Sequence, residues 1–394
     1  MSLKENFKIQ KNVQHIISQI RLTGDKALVG FTAKFDNLQL TPSQFKVSNN
    51  EIKKSLKKLD PKVLNAIKVC ANRIKAFHLE EKKRIPKSWS VTKQGVGLGQ
   101  SYRPIESVGI YVPGGRFSYP STVLMTAIPA KVAGVKKIII VTPPGKLSAE
   151  ILGAAQMAGV DAVYQVGGPA AVSALAIGTK TIPKVDLILG PGNAYVTEAK
   201  RQLFGEVGID LLAGPSELVV LADKFADPSY VAADLAAQAE HDPDSTGVLI
   251  SLDSALIQKV KNFLPKNLLN QCQFIYEPLV NKAIQLTDAY AGEHVEILMK
   301  NSKQIFKKLK NGGTFFLSPW SPAVMGDYWA GPSHVLPTGR SARFASGLSV
   351  MTFFKRSSFV DISKAAFMKG FSAAHKMAER EGLIQHAKAL KVRV

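Results

Sequence analysis

Seven histidines offer imidazoles for acid–base or metal chemistry: His15, His78, His241, His294, His334, His375 and His386. The segment Gln238-Ala-Glu-His241-Asp242 ends a predicted helix, and its i, i+3 spacing places Gln238 and His241 on one face, as a two-point metal grip requires. Glutamine is a rare ligand, so Glu240 or Asp242 is the more usual choice beside this histidine. A core or helix-capping role is the alternative for His241.

A second polar segment, GDYWAGPSH, carries Asp327 and His334 on either side of Gly331-Pro332. The glycine allows the chain to fold back and bring both side chains to one point. Zinc accepts both imidazole nitrogen and carboxylate oxygen. The two segments together therefore predict a mixed nitrogen and oxygen site drawn from Gln238, His241, Asp327 and His334.

Glu293-His294, in AGEHVEI, pairs the two commonest acid–base groups near neutral pH. Adjacent residues on a helix point about 100° apart, so both line one site only at an element end or a turn. A solvated turn is the alternative. Near the chain end, Glu381 and His386 lie five residues apart and resemble an exposed helix end; nothing local marks them as functional.

The elements that position these residues alternate between short β-rich runs and helices from Ser107 onward, a pattern typical of parallel sheets with right-handed crossovers. The predicted strands of a first sheet are Val108–Val112, Lys137–Val141, Ala162–Val166 and Leu187–Leu189. The predicted strands of a second sheet are Glu217–Leu221, Gly247–Ser251 and Gly313–Leu317. The pattern predicts an α/β fold of two Rossmann-like, doubly wound parts with helical N- and C-terminal extensions.

The turns after the predicted strands of the first sheet are rich in glycine and proline: Pro113-Gly114-Gly115, Gly167-Gly168-Pro169, Gly190-Pro191-Gly192-Asn193 and Ala213-Gly214-Pro215-Ser216. Ligands of doubly wound sheets bind at the carboxyl ends of strands, where such turns allow backbone amides to approach phosphate. No intact G-x-G-x-x-G follows a strand, and the glycines at 95, 97 and 99 lack the strand–turn–helix context. A dinucleotide is a hypothesis that spacing alone does not decide.

Composition narrows the class of protein. The 394 residues are 46% hydrophobic and 21% charged, as in globular proteins, and no apolar run approaches the length of a membrane span. We expect a soluble, cytoplasmic protein with Cys70 and Cys272 reduced. The net charge of +21 raises the possibility of nucleic-acid binding, but the N-terminal lysines interleave with apolar residues at helical spacing, which favours solvated faces of amphipathic helices. We therefore expect no specific nucleic-acid partner.

Taken in order, long segments of the chain resemble the histidinol dehydrogenase family. They include GIYVPGGRFSYPSTVLMTAIPAKVAGV, LILGPGNAYVTEAKRQLFGEVGIDLLAGPSE, AAQAEHDPDS, MGDYWAGPSHVLPTGRSARFASGLSV and EREGLIQHAKALKVRV. The resemblance implies oxidation of L-histidinol to L-histidine in two NAD-linked steps, with one zinc per subunit, in an intertwined homodimer.

The resemblance also implies a role for each matching residue, including some that local sequence does not mark. The zinc ligands would be Gln238, His241, Asp327 and His386, with the last supplied by the other subunit. Glu293 and His294 would be the acid–base pair. Substrate contacts would come from Ser216, Gln238, His241, His294, Asp327, His334, Glu381 and His386. Tyr111, Pro113 and Asn193 would meet NAD.

The resemblance and the element pattern together divide the chain into four segments. They are a helical N-terminal segment (1–110) contributing to the first α/β domain, a Rossmann-like NAD-binding domain (111–216), the remainder with metal and acid–base residues (217–345), and a helical tail (346–394) that reaches the partner subunit.

The chain departs from the family pattern at two motifs and in segment length. Ala170 stands where the family has a glutamine that helps hold NAD, and Gly292 stands where it has proline before the acid–base pair. The N-terminus and the region between His241 and Glu293 are also shorter than usual. These changes motivate an alternative hypothesis, a diverged relative that oxidises another small alcohol.

Overall fold

The computed structural model describes residues 3–114, 118–240 and 242–394. The chain divides into two units, the larger formed by Met1–Lys83 with Ile105–Phe353 and the smaller by Arg84–Pro104 with Phe354–Val394. No helix among the described residues combines the length and apolar character needed to cross a bilayer.

The chain begins with helices and continues into a hairpin. These elements are α1 (Leu3–Thr23), α2 (Asp25–Asp36), α3 (Pro42–Phe45), α4 (Asn49–Lys57), α5 (Pro61–Lys83), β1 (Trp89–Lys93) and β2 (Val96–Pro104). Helix α5 begins at Pro61, a residue suited to the first helical position because it lacks an N–H group. It buries Ile67, Ala71 and Ile74 at helical spacing. The lysines 53, 54, 57 and 58 on and after α4 are exposed, which confirms the prediction of a solvated face.

A first parallel sheet follows in the larger unit. Its elements are β3 (Ser107–Tyr111), α6 (Pro120–Ala133), β4 (Lys137–Thr142), α7 (Ala149–Ala158), β5 (Ala162–Gln165), α8 (Gly168–Ile177), β6 (Leu187–Leu189), α9 (Ala194–Leu203) and β7 (Gly208–Ile209). The strand order is β5-β4-β3-β6-β7, so the direction of winding reverses between β3 and β6. The strands are buried apolar runs, as expected of a sheet covered on both faces.

A second parallel sheet repeats this plan in the same unit. Its elements are β8 (Glu217–Ala222), α10 (Pro228–Ala239), β9 (Thr246–Ser251), α11 (Ser254–Phe263), β10 (Cys272–Tyr276), α12 (Val280–Tyr290), β11 (His294–Leu298), α13 (Ser302–Phe306), β12 (Thr314–Phe316) and α14 (Ala323–Tyr328). The order β10-β9-β8-β11-β12 matches that of the first sheet when strands are counted along the chain. The predicted α/β fold with two doubly wound sheets is confirmed, and strands β10 and β11 are additions to the prediction.

The smaller unit contains β13 (Phe354–Ile362), α15 (Lys364–Arg380) and α16 (Ile384–Lys391) together with the β1–β2 hairpin. Strand β2 pairs antiparallel with both β1 and β13. The N-terminal segment and the tail are mostly helical, as predicted, but the sequence does not predict the three strands that they contain: Trp89–Lys93 and Val96–Pro104 near the N-terminus and Phe354–Ile362 in the tail. The signal was weak because β1 is exposed along its length and β13 nearly so, which leaves no buried face to produce apolar alternation.

Candidate active site

The predicted acid–base pair, Glu293 and His294, lies at the amino ends of the second sheet. Glu293 immediately precedes β11, and His294 is its first residue, opposite Leu218 of β8 on one side and Thr314 of β12 on the other. An element start is the geometry in which two adjacent side chains can line one site, as predicted. Both residues are only 6% exposed, so the alternative of a solvated turn is wrong.

The carboxyl of Glu293 is held from the start of β8. Its Oε2 accepts the Glu217 backbone N–H at 3.2 Å, and the Ser216 side chain also hydrogen-bonds it. Burial raises the pKa of Glu293, and the charge of His294 and these two hydrogen bonds offset only part of that effect. A raised pKa moves a carboxyl toward the range in which it both takes and returns a proton. Ser216, a predicted substrate contact, therefore lies beside the acid–base pair.

The imidazole of His294 faces Asp327 of α14, with His294 Nε2 3.6 Å from Asp327 Oδ1. Burial alone lowers the pKa of His294, but the contact with Asp327 and the charges of Glu293 and Asp327 outweigh burial and raise it. His294 Nδ1 is buried without a hydrogen-bond partner among the described residues. The structure thus brings Glu293, His294 and Asp327 together, two of them at strand β11 and the third on α14.

Gln238 comes from the last turn of α10, the helix that runs back to the amino ends of the sheet. Its side chain is 5% exposed, and its Nε2 atom has no hydrogen-bond partner among the described residues. The unsatisfied end is an N–H donor, which does not bind a metal; a flip of the side-chain amide would exchange it with the oxygen, which can. Amide and carboxylate oxygens are donors that zinc accepts, so Gln238 and Asp327 fit the predicted metal. His241, the predicted partner of Gln238, lies outside the described residues.

His334 is also part of this cluster. Its Nδ1 lies 3.1 Å from the backbone oxygen of Asp327, and its Nε2 lies 3.5 Å from Thr122 Oγ1 on α6. His294 and His334 line a common cavity of about 20 Å³. The glycine at 331 has φ +123°, which confirms that the GPSH segment folds back by a left-handed turn. The hydroxyl of Thr122 has no counterpart in the sequence prediction because nothing in its apolar helix marks it.

Glu381 and His386 belong to the smaller unit, where Glu381 ends α15 and His386 lies on α16. Both line an open, largely apolar groove formed within that unit by α15 and α16, together with Phe367, Met377 and Leu390. The roles predicted for them, Glu381 as a substrate contact and His386 as a zinc ligand from the other subunit, remain predictions.

The expected cofactor residues lie at the carboxyl ends of the first sheet. Tyr111 ends β3, and its hydroxyl accepts the Gly168 backbone N–H at 3.3 Å, which links two of the glycine turns. The side chain is 4% exposed, and burial raises its pKa to about 12. Asn193 caps α9, because its Oδ1 accepts the N–H groups of Tyr195 and Val196. Pro113 follows β3 in the adjoining turn.

The turn that carries Asn193 is clamped at Gly190. Asp210 Oδ2 accepts the Gly190 N–H at 2.7 Å, and Lys200 Nζ donates to the Gly190 carbonyl at 3.1 Å. Lys200 and Asp210 form an ion pair with each other and are almost fully buried. Gly190 has φ +104°, and a Cβ there would lie 2.2 Å from the Tyr111 carbonyl oxygen. Only glycine fits, so the shape of this turn is fixed by the chain itself.

The two family departures have different settings. Ala170 lies in the first turn of α8, is 6% exposed and belongs to the apolar core of the first sheet. Gly292 precedes the acid–base pair, and its carbonyl accepts the Gly313 N–H at 3.0 Å. Ala291, just before it, adopts the left-handed conformation with φ +46°. The change to Ala170 thus falls at a buried position, whereas Gly292 keeps a backbone hydrogen bond to Gly313 just before β11.

Comparison with known proteins agrees with this geometry. The histidinol dehydrogenase family model matches residues 2–394. Histidinol dehydrogenase of Thermosynechococcus vestitus is 42% identical across 98% of this chain and 93% of its own length. That of Carboxydothermus hydrogenoformans is 45% identical across 98% and 94%. The crystal structure of histidinol dehydrogenase from Elizabethkingia anophelis superposes with a TM-score of 0.90 at 36% identity, covering 100% of this chain and 96% of that one. The chain therefore belongs to the histidinol dehydrogenase family.

Proposed function

We propose that the protein is a cytoplasmic, zinc-containing, NAD-dependent dehydrogenase that oxidises L-histidinol to L-histidine through the aldehyde, in histidine biosynthesis. The observation that supports it is the buried Glu293-His294 pair, in contact with Asp327 and Ser216 at the edge where the chain also places Gln238. Family membership supplies the substrate class. The buried pair supplies the proton transfers that both oxidations need.

Each oxidation has one proton task. In the first, His294 takes the hydroxyl proton as hydride leaves the carbinol carbon for NAD, which yields the aldehyde. In the second, Glu293 takes a proton from the water that attacks the aldehyde carbon, and hydride then leaves the hydrate for a second NAD. The raised pKa values of both groups suit them to return these protons near neutral pH.

Four residues would hold the zinc: Gln238, His241, Asp327 and His386. When bound, the metal supplies a fixed Lewis-acid point that orients the substrate's imidazole and amino groups. Ser216, His334 and Glu381 would contact the rest of the substrate. His334 is fixed for this role by its contacts with the Asp327 backbone and Thr122. Tyr111, Pro113 and Asn193 would meet NAD at the first sheet.

The direct test is to follow NADH absorbance with L-histidinol and NAD, and to count NADH formed per histidinol consumed. We expect two NADH per histidinol, loss of activity after a chelator and recovery with zinc. Release of one NADH and free aldehyde would contradict the coupled second step. Turnover that resists thorough chelation would contradict the metal's role.

A site shared between two subunits is testable by mixing inactive variants. His386→Ala lacks the tail ligand and His294→Asn lacks the base, so each homodimer should be inactive, and His386→Ala should lose zinc. In a mixed dimer, one site receives intact residues from both chains. Random exchange of equal amounts should therefore restore about one quarter of wild-type activity. No recovery, with exchange confirmed by mass, would contradict a shared site, as would wild-type zinc content in His386→Ala.

Ala170 favours one alternative, a relative that oxidises a different small alcohol. A residue without a polar group occupies a position where the family's glutamine helps hold NAD, and it is packed into the core. A screen of small alcohols and diols with the zinc-loaded protein separates the two hypotheses. Strong preference for histidinol supports the main proposal, and turnover of another alcohol with none of histidinol supports the alternative.

A further inference from the structure

Two carboxyl groups lie on the same elements as residues of the candidate site, one helical turn or two strand positions away from them. Glu296, on β11, is fully buried, and its Oε1 accepts the Ala323 backbone N–H at 2.7 Å. Asp234, on α10, faces Glu296 closely enough for the two carboxyls to hydrogen-bond. The proposed reaction uses neither residue.

The position of this pair follows from element geometry. Glu296 is two residues after His294, so both side chains point to the same face of β11. Asp234 is four residues before Gln238 on α10, and Ala323 is four residues before Asp327 on α14, so each shares a helix face with a site residue. Four residues of helix and two residues of strand each span about 6 Å. Each residue of the pair, and Ala323, therefore lies about 6 Å along its element from a candidate site residue.

The hydrogen-bond inventory indicates that a proton links the two carboxyls. Glu296 Oε2 is buried and meets no N–H or O–H donor among the described residues, and its neighbour is the Asp234 carboxyl. Two ionised carboxylates in contact repel each other strongly at a buried position. Burial, and then the charge of Asp234, raise the pKa of Glu296 well above its ordinary value, while burial raises that of Asp234 to about 6. One carboxyl therefore donates to the other.

We propose that Asp234 and Glu296 are positioning residues: their carboxyl pair joins α10, β11 and α14 and so fixes Gln238, His294 and Asp327 relative to one another. One carboxyl of the pair holds the first N–H of the short helix α14, which has no side-chain cap of its own at Pro322. A six-residue helix has little intrinsic stability, so the direction of its Asp327 depends on what holds its first turn. The inference rests on the proposed function only in naming what the fixed residues bind.

The test compares Glu296→Ala with Glu296→Gln. Glutamine keeps an oxygen for the Ala323 N–H and offers an N–H₂ to Asp234, so it should preserve the link, whereas alanine removes both contacts. We measure hydrogen exchange across Ala323–Tyr328, zinc affinity by chelator competition, and KM for both substrates. For Glu296→Ala we expect faster exchange in α14, zinc affinity about 10- to 100-fold weaker, and an unchanged KM for NAD. Glu296→Gln should stay within about threefold of wild type in zinc affinity.

Asp253→Ala is the matched control. Asp253 caps α11 by accepting the Ala255 N–H at 2.9 Å, and α11 carries no candidate site residue. Its loss should lower the melting temperature without changing zinc affinity or exchange in α14. If Glu296→Ala does not fold, Asp234→Ala breaks the pair but leaves the bond to Ala323, and the same outcomes are expected at smaller size.

Two results would overturn the inference. One is Glu296→Ala behaving like the Asp253→Ala control, with a lower melting temperature but wild-type α14 exchange and zinc affinity. The other is Glu296→Gln failing as badly as alanine. A wild-type protein that neither binds zinc nor oxidises histidinol would contradict the proposed function instead, and exchange in α14 would still decide whether the pair positions that helix.

Discussion

The two parallel sheets share one strand order but carry their candidate residues at opposite edges. In the first sheet, Tyr111 ends β3 and Asn193 follows β6, so the expected cofactor residues lie at the carboxyl ends of strands. In the second sheet, Ser216 precedes β8 and Glu293 precedes β11, so a predicted substrate contact and the predicted acid–base pair lie at the amino ends.

The carboxyl ends of the first sheet and the amino ends of the second also differ in what their polar side chains bond to. At the first sheet, the Tyr111 hydroxyl, the Asn193 side chain and the Lys200–Asp210 pair bond backbone groups of the chain itself. Buried atoms without partners among the described residues occur at both places: Thr142 Oγ1 at the end of β4 in the first sheet, and atoms of Gln238 and His294 at the second. Topology alone therefore does not locate chemistry. The predicted cofactor residues Tyr111 and Asn193 are bonded to backbone groups of the chain, whereas the predicted site residues Gln238 and His294 keep buried atoms without partners among the described residues.

The largest effect on turnover should come from His294→Asn, at the amino ends of the second sheet. If His294 is the proposed base for the hydroxyl proton, its removal should reduce kcat by about 10²- to 10⁴-fold while zinc stays bound. Steady-state kinetics and metal analysis check this, with the exposed His15→Asn on α1 as the control. Turnover within a few-fold of wild type would remove His294 from the acid–base role and weaken the contrast between the edges.

The next largest effect should come from Gly190→Ala, at the carboxyl ends of the first sheet, and should fall on cofactor binding. The added Cβ would lie 2.2 Å from the Tyr111 carbonyl oxygen. Alanine is also strained at the positive φ of this position, so the turn must shift. We expect KM for NAD to rise about tenfold or more with KM for histidinol little changed. Gly205→Ala is the control, since Gly205 also has positive φ but no atom within 4 Å of its Cβ position. Equal changes in both KM values would contradict separate roles for the two edges.

A smaller effect should follow from Tyr111→Phe. Loss of the hydroxyl removes the acceptor for the Gly168 N–H, and one such hydrogen bond contributes about 1 kcal/mol. KM for NAD should therefore rise about threefold to tenfold, with kcat at saturating NAD unchanged. Matched kinetics with each substrate varied in turn measure it, and a change confined to KM for histidinol would contradict the assignment of Tyr111 to the cofactor side.

The smallest effect concerns the pH dependence of stability at the second sheet. Asp234 has its pKa raised to about 6, chiefly by burial, so the folded protein binds more protons than the unfolded chain between about pH 4 and 6. Stability from this group is present below that window and is lost as pH rises through about 6. Asn cannot ionise, so Asp234→Asn does not lose this stability as pH rises. The melting temperature of the variant minus that of wild type should therefore increase from pH 4.5 to about 7 and then stay level. A constant difference across that range, or the same climb in Asp253→Asn, would contradict the assignment.

Sequence predicted the sheets well because their strands are apolar runs closed by glycine and proline turns. It placed Glu293-His294 at an element end because two adjacent side chains on a helix diverge. It missed the β1–β2–β13 sheet, whose strands have no buried face, and the Asp234–Glu296 contact, which joins residues more than sixty positions apart. Local sequence alone favours Glu240 or Asp242 over Gln238 as the ligand beside His241, because the burial of the Gln238 amide is a property of the fold.

The division of the smaller unit between two distant stretches of chain sets an order of folding. Strand β2 must wait for β13 across about 250 intervening residues, and closing a loop of that length costs on the order of 5 kcal/mol. During synthesis, the side of β2 that pairs with β13 stays unpaired until the last part of the chain arrives. Glu381 and His386 arrive with that part, so a nascent or truncated chain holds the acid–base pair without the tail residues. Within one chain, formation of this unit is the step that brings its last two candidate site residues, Glu381 and His386, into folded structure.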